Sequence, residues 1–278
     1  MGSSSESAGK ALAVLESDEL ALLEHLDGIF RQWARSIGSI ERRYPQLIEV
    51  SDLRLFDYFE NFPHLGLAVS RIDPVAVLAS TTDEAVDRLP RSVLLPSKYL
   101  LPSAACYSVY LHESGSVLPE AGIRRTLAAT CYRNEDQYSG LSRLLGFTMR
   151  EIVCVAEAET AKDHLAQFIE RISALLNGLG LNFDVEIATD PFFDGSSGRA
   201  KMQRLFPVKR EFVVNGLAIG SVNYHRNFFG ERCEIASASG GTAHTSCVAF
   251  GLERWVHVFK EHFGTADRAL SAVTDLAP

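Results

Sequence analysis

The amino-acid sequence predicts an α+β fold, an antiparallel sheet covered by helices. Three observations predict it. Short runs of strand character recur from residue 104 onward, segments of 3.6-residue apolar periodicity flank them, and residues 130–152 read as two antiparallel strands joined by a short polar loop. With 278 residues and 46% hydrophobic content the chain can bury one large core. Residues 16–278 are therefore expected to form a single domain behind a disordered segment at 1–15.

Taken in chain order, Leu20, Leu23, Leu26, Phe30, Trp33 and Ile37 mark an amphipathic helix, and Pro45 ends its approach to a strand. Residues 59–89 are mixed, although DEAVDRL has helical character. Strands are expected at 104–111, 124–133, 146–157, 182–189, 210–214, 217–224 and 232–239, and helices at 161–176 and 253–263. Ser196 and Ser197 are placed to cap a short helix through RAKMQRLF that Pro207 terminates. The chain contains neither repeats nor low-complexity tracts.

The formal charge is −8, from 35 acidic against 27 basic residues, and no basic stripe of the kind a large polyanion requires is visible. Five cysteines, an odd number without disulfide-like clustering, point to reduced thiols. The start, MGSSSESAGK, has no apolar signal core, and no apolar run approaches the ~18 residues of a membrane span. A cytoplasmic protein is expected.

The hairpin carries the chemistry. Strand alternation puts Arg133 and Glu135 on one face, and Phe147, Met149 and Glu151 on one face of the partner strand, which Arg143 precedes. Guanidinium forks for phosphates, a ring to stack on a base and a carboxylate to accept from an exocyclic amine are what a nucleotide needs. The plain alternative is an amphipathic hairpin with solvated charges.

CYRNE followed by GLSRLLGFTMRE resembles motif 2 of class II aminoacyl-tRNA synthetases, most closely the seryl enzymes, and GLER, opening the helix ERWVHVFKEHF after an apolar run, resembles motif 3. FRQWARSIGSIERRYPQLIEV, with Pro45, resembles motif 1. The ordered set implies the class II antiparallel sheet, a homodimer through motif 1, and one catalytic domain. For ATP the resemblance implies that Arg133 clamps the α-phosphate, Glu135 accepts from the adenine amine, Phe147 and Arg254 sandwich the ring, and Arg143 with Arg254 reaches the γ-phosphate. It implies Glu234, in CEIASAS, as the magnesium ligand, with Ser237 nearby. One departure is Leu145-Gly146-Phe147, where the seryl pattern has a polar pair before the phenylalanine.

With at most about forty residues before the motif 1 proline, no tRNA-gripping helical domain is visible. Such a truncated core resembles the amino acid:carrier-protein ligases, relatives of the atypical, zinc-dependent seryl-tRNA synthetases. That implies ATP-dependent activation of a small amino acid, glycine or alanine, and its transfer to the phosphopantetheine thiol of an acidic carrier protein. A tRNA or small-molecule acceptor is the alternative, and a non-catalytic paralogue the third reading.

The zinc-dependent branch implies a ligand set of Cys106, on a strand before motif 2, Glu151 at the end of motif 2, and Cys247 just before motif 3. Three protein ligands leave a fourth tetrahedral position for the substrate's amino group. Plainer readings stand beside it: any of these cysteines can be a small buried hydrophobe, Cys131 is a packed rival, and Cys154 and Cys233 are structural. Glu151 could contact the amine directly, and His112, His225 or His244 could replace a cysteine. The local basic stretch Arg199, Lys201 and Arg204, with Met202, Leu205 and Phe206, is a candidate docking site for the carrier, and a solvated surface helix otherwise.

Overall fold

The computed structural model describes residues 11–80 and 89–276. Residues 1–10 of the expected disordered start, and most of DEAVDRL, lie outside the described residues. Ala11, inside the same expected segment, is buried, and its carbonyl accepts from the Leu145 amide at 3.0 Å.

The expected α+β architecture is observed. Its centre is a seven-stranded sheet of β1 (Ile40–Glu41), β5 (Ile123–Tyr132), β6 (Gly146–Ala156), β7 (Asp184–Ala188), β8 (Lys209–Val214), β9 (Leu217–Arg226) and β10 (His244–Gly251), in the order β1-β5-β6-β10-β9-β8-β7. Every pairing in it is antiparallel except β1 with β5. A second sheet, β2 (Ile48–Glu49), β4 (Tyr99–Leu101) and β3 (Leu67–Val69), lies beside it. The helices are α1 (Ser17–Ser36), α2 (Val50–Leu55), α3 (Tyr58–Asn61), α4 (Pro74–Ser80), α5 (Tyr107–His112), α6 (Ala158–Gly178), α7 (Gly198–Leu205), α8 (Phe228–Arg232), α9 (Leu252–Phe263) and α10 (Ala266–Leu276).

Alternation in the long strands makes two different faces. Even-numbered Ile152, Phe212, Val222, Val248 and Phe250 face a helical layer of α1, α6, α9 and α10, including Leu22, Leu26, Phe30, Phe168, Trp255 and Phe259. Phe30 stacks on Phe250 with ring centroids 3.9 Å apart. Fully burying such side chains is worth about 1.5–3 kcal/mol each. α1 starts in a reciprocal capping box between Glu16 and Glu19 and stops before Gly38, which adopts φ 72°.

Arg150 is the charged exception on this face. It is fully buried, with Nε and Nη2 donating to Asp27 at 2.6 and 2.8 Å and Nη1 donating to Glu41 at 3.0 Å. It thereby ties α1 and β1 to the middle of β6.

The odd-numbered face carries Leu127, Cys131, Val153 and Cys247, packed beneath α5 and α8, and continues into a row of polar side chains. Two sequence expectations fail here. Residues 104–111 are not a strand: α5 begins at Tyr107, and consecutive Val109 and Tyr110 are both buried, as one helical face allows and strand alternation does not. An eight-residue apolar run cannot distinguish these states by periodicity. Residues 232–239 are also not a strand; they leave α8 through Glu234 at φ 53° and make only isolated bridges, while the true neighbour of β6 is β10, the apolar run before motif 3. Helix α10, whose apolar face buries Ala266, Ala269 and Val273, and the β2-β4-β3 sheet were not among the expected elements.

Candidate active site

The floor of the site is set by register. Across the sheet, Leu127, Glu151, Ala249, Ser221 and Glu211 form one row, and Val153, Cys247, Asn223 and Lys209 the next. Cys106 arrives from above, on the turn between Pro102 and α5, where Ala105 donates its amide to Glu151 Oε1 at 3.1 Å. Two rows and one turn thus bring together Cys106, Glu151 and Cys247, whose candidate ligand atoms all lie within 4.8 Å of one another and are all buried. The other carboxylate oxygen, Glu151 Oε2, is buried without a hydrogen-bond partner. An orphaned anionic oxygen costs free energy unless something occupies its lone pairs.

The electrostatics are those of buried acids that oppose one another's ionisation. Burial, then Cys247, pushes the Glu151 carboxyl up to about 8. The hydrogen bond from Cys106 holds Cys247 well below the usual thiol range, with His225 and Asn223 helping, and Cys106 is raised correspondingly. Asn223 Nδ2 stands 3.4 Å and His225 Nε2 3.9 Å from Cys247 Sγ. A divalent metal reverses such penalties by binding the deprotonated forms. Of the possible histidine substitutes only His225 approaches; His112 packs edge-on to Tyr44 and His244 bonds to the Tyr224 hydroxyl. Cys131 is a packed thiol beside Phe147 in the β5–β6 register, and Cys154 and Cys233 are buried with thiols pushed up to about 11 by desolvation.

The triad opens on a cavity of about 330 Å³ that runs beneath α7, and a second cavity of about 90 Å³ adjoins it toward α9. Arg133, Glu135, Arg143, Phe147 and Arg254 line the second cavity. Arg133 and Glu135 stand beyond Tyr132, the end of β5, so strand alternation does not place them as expected; hydrogen bonds do. Arg133 Nε donates to Ser103 O at 3.1 Å with its guanidinium 5.2 Å from the Phe147 ring centroid. Glu135 meets Arg143 at 3.1 Å, and its amide donates to the Tyr138 hydroxyl at 3.0 Å. Arg254 is held by Ser142 O at 2.8 Å and Ala218 O at 2.9 Å. Gly146 is required by Tyr132, whose ring would lie 2.9 Å from any added Cβ.

Two site expectations come apart. Glu234 and Ser237 do not reach either cavity: Ser237 bonds to Ser239, which donates to Glu157 at 2.7 Å, ten residues along the chain from Phe147 and thus roughly 30 Å away at strand rise. The carboxylates that line the second cavity are Glu135, Glu253 and Glu211, the last paired in register with Ser221. Lys209, Glu211, Ser221 and Asn223 were not singled out, although Ser221, Asn223 and His225 at every second position were a period-2 signal. Arg199, grouped with the docking charges, turns inward instead: its guanidinium lies 3.9 Å from the Phe228 ring centroid and 3.5 Å from Asp57, and it lines the larger cavity. Lys201 and Arg204 remain exposed beside Met202, Leu205 and Phe206 on α7, whose first turn Ser197 Oγ caps at 3.2 Å.

An antiparallel sheet with arginines from the second hairpin strand's approach and from the helix after β10 around one cavity is the catalytic core of a class II synthetase, and the family model for the tRNA synthetase class II core domain (G, H, P, S and T) matches residues 97–263. Within that class, amino acid–acyl-carrier-protein ligase 1 of Bradyrhizobium diazoefficiens is 35% identical over 246 residues, 82% of this chain and 73% of that protein. The chain belongs to this ligase family. The type-2 serine–tRNA ligase of Methanothermobacter thermautotrophicus is 27% identical over 81% of the chain but only 48% of its own length. The seryl-tRNA synthetase of M. kandleri, solved with A. aeolicus tRNASec, shares the fold at TM-score 0.75 and 21% identity, covering 93% of this chain and 55% of that one. The chain spans about half the length of these two tRNA ligases.

Proposed function

We propose that the protein activates glycine or alanine with ATP and transfers the aminoacyl group to the phosphopantetheine thiol of an acidic carrier protein. The observation that carries the reading is the junction of two chambers: a buried Cys–Glu–Cys cluster with an orphaned carboxylate oxygen opens directly beside an arginine- and phenylalanine-lined cavity. The donor set suits zinc, and Cys106, Glu151 and Cys247 would hold it. When bound, zinc supplies a Lewis-acid contact for a neutral α-amino group, which selects amino acids over acids lacking an amine. Arg133 binds the α-phosphate, Phe147 and Arg254 hold the adenine between them, Glu135 accepts from its exocyclic amine, and Arg143 meets the terminal phosphate. Glu211, which lines the second cavity as Glu234 does not, would hold magnesium. Catalysis by these groups is positioning and charge neutralisation, with no protein nucleophile.

The carrier docks against α7 through Lys201 and Arg204, with Met202, Leu205 and Phe206 as apolar contacts. Motif 1 supplies a homodimer interface, for which exposed Leu20 and Ile40 are the apolar candidates. No helix among the described residues is long and apolar enough to cross a membrane. The test is acceptor labelling: ATP, radiolabelled glycine, alanine or serine, and holo-carrier, apo-carrier or tRNA, with the labelled acceptor identified on gels.

A further inference from the structure

We infer that Lys209 is a catalytic cation acting on the acyl–phosphate junction, an inference that rests on the reaction proposed above. Five residues line both cavities: Arg133, Met149, Lys209, Ser221 and Ala249. An adenylate whose amino group sits at Cys106, Glu151 and Cys247 and whose adenine sits at Phe147 must thread its acyl phosphate past these five. Only Arg133 and Lys209 are charged. They approach from opposite sides, Arg133 from beyond the end of β5 and Lys209 from β8.

Lys209 shares the row of Asn223 and Cys247, two strands from the latter, about 10 Å at ordinary strand spacing. Its side chain is only 16% exposed, and Nζ lies 3.4 Å from Asp190 Oδ1 and 3.0 Å from Glu211 Oε1. Asp190 belongs to the segment leading to α7, where Gln203 Nε2 donates to its Oδ2 at 2.9 Å; Glu211 belongs to the nucleotide cavity. The two carboxylates hold the ammonium at the boundary before substrate arrives, and an entering phosphate displaces one of them. A fixed ammonium there needs no reorganisation when charge develops.

Both half-reactions place charge at this point. In the first, a carboxylate oxygen of the amino acid bonds to the α-phosphorus as the bond to pyrophosphate breaks, and Lys209 and Arg133 neutralise the crowded non-bridging oxygens. In the second, the carrier thiol, having released its proton to solvent, attacks the acyl carbon; the thioester forms as the carbon–oxygen bond to phosphate breaks, and AMP leaves with the electron pair. Lys209 then stabilises the oxyanion and the departing phosphate. Lys201 and Arg204, on the outer side of α7, cannot substitute for it.

The experiment is amino-acid-dependent ATP–pyrophosphate exchange, with single-turnover transfer from preformed adenylate to holo-carrier, in wild type and variants checked by circular dichroism. Lys209→Met is expected to lower kcat about a hundredfold in both assays with KM for ATP within about threefold, as loss of a transition-state contact requires. Lys209→Arg should restore at least about a tenth of wild-type kcat because it keeps the charge. A Lys209→Arg as inactive as Lys209→Met, or a near wild-type Lys209→Met, would overturn the inference and leave the ligase reading standing. Wild-type protein that catalyses no exchange with any small amino acid would overturn the ligase reading itself, and the role of Lys209 with it.

Discussion

Replacing Arg150 by methionine should destabilise the fold by about 3 kcal/mol, the lower end for breaking a buried ion pair. The figure follows from what each carboxylate loses. Asp27, 13% exposed, surrenders two charge-assisted hydrogen bonds and keeps only Arg31 at 3.2 Å. Glu41, 36% exposed, retains Arg31 at 3.1 Å and can turn to water, so its share is heavily discounted. The cost is therefore mostly that of leaving Asp27 half-paired against the helical core. Urea unfolding followed by tryptophan fluorescence reads it directly, because Trp33 and Trp255 both pack within 5.5 Å centroid distance of Phe30, on the helix that Arg150 anchors. In a double-mutant cycle with Asp27→Asn the coupling should reach about 2 kcal/mol. Additive effects, or a loss below about 1 kcal/mol in Arg150→Met, would refute the idea that this pair fastens α1 to β6.

Purified protein should carry about one zinc per chain, and Cys106→Ala or Cys247→Ala should lose both the metal and adenylate formation; elemental analysis showing no zinc, with full activity after chelation, rejects the metal site. Lys201→Glu with Arg204→Glu should weaken transfer to the carrier while leaving pyrophosphate exchange nearly unchanged; equal losses in both assays would mean the segment serves the site itself. Light scattering at micromolar concentration should give a dimer mass, and a monomer would reject the motif 1 interface. His164, buried on α6 with Nε2 bonded to Ile152 O at 3.2 Å, has its pKa lowered by desolvation to about 4. Because the folded pKa lies below the unfolded one, its contribution is complete above pH ~6.5 and is lost as the pH falls toward 4, up to about 3 kcal/mol. His164→Gln should flatten stability against pH in that window, which equilibrium urea melts at pH 7, 6 and 5 would reveal.

Much of this could be read from the letters because long strands and helices carry their own periodicity. The β5–β6 hairpin, α1, α6 and α9 were expected within a few residues of where they lie, and the Cys106, Glu151 and Cys247 set, implied by resemblance, is brought together by register and one turn. Cys106 arrives on a helix-opening turn and not on a strand, since its apolar run fits both states. Glu234 was misplaced because the letters of CEIASAS match a magnesium-binding strand while the chain there is a left-handed turn at the other end of the sheet. Glu211, which lines the second cavity beside Glu135 and Glu253, lies on the β8–β9 hairpin; its Asn215-Gly216 turn, with both residues at positive φ, is a local signal for that pairing that was not used. Arg199 shows the limit of local sequence: its basic neighbours suggested a surface charge, and the ring of Phe228, nearly thirty residues later, draws it inward.

The measurement that bears most directly on the central claim is the identity of the aminoacylated acceptor. With ATP and labelled glycine or alanine, the label should appear on holo-carrier protein as a hydroxylamine-labile thioester, and neither apo-carrier nor tRNA should be labelled. Label on tRNA, or on the carrier without its phosphopantetheine arm, would contradict the account.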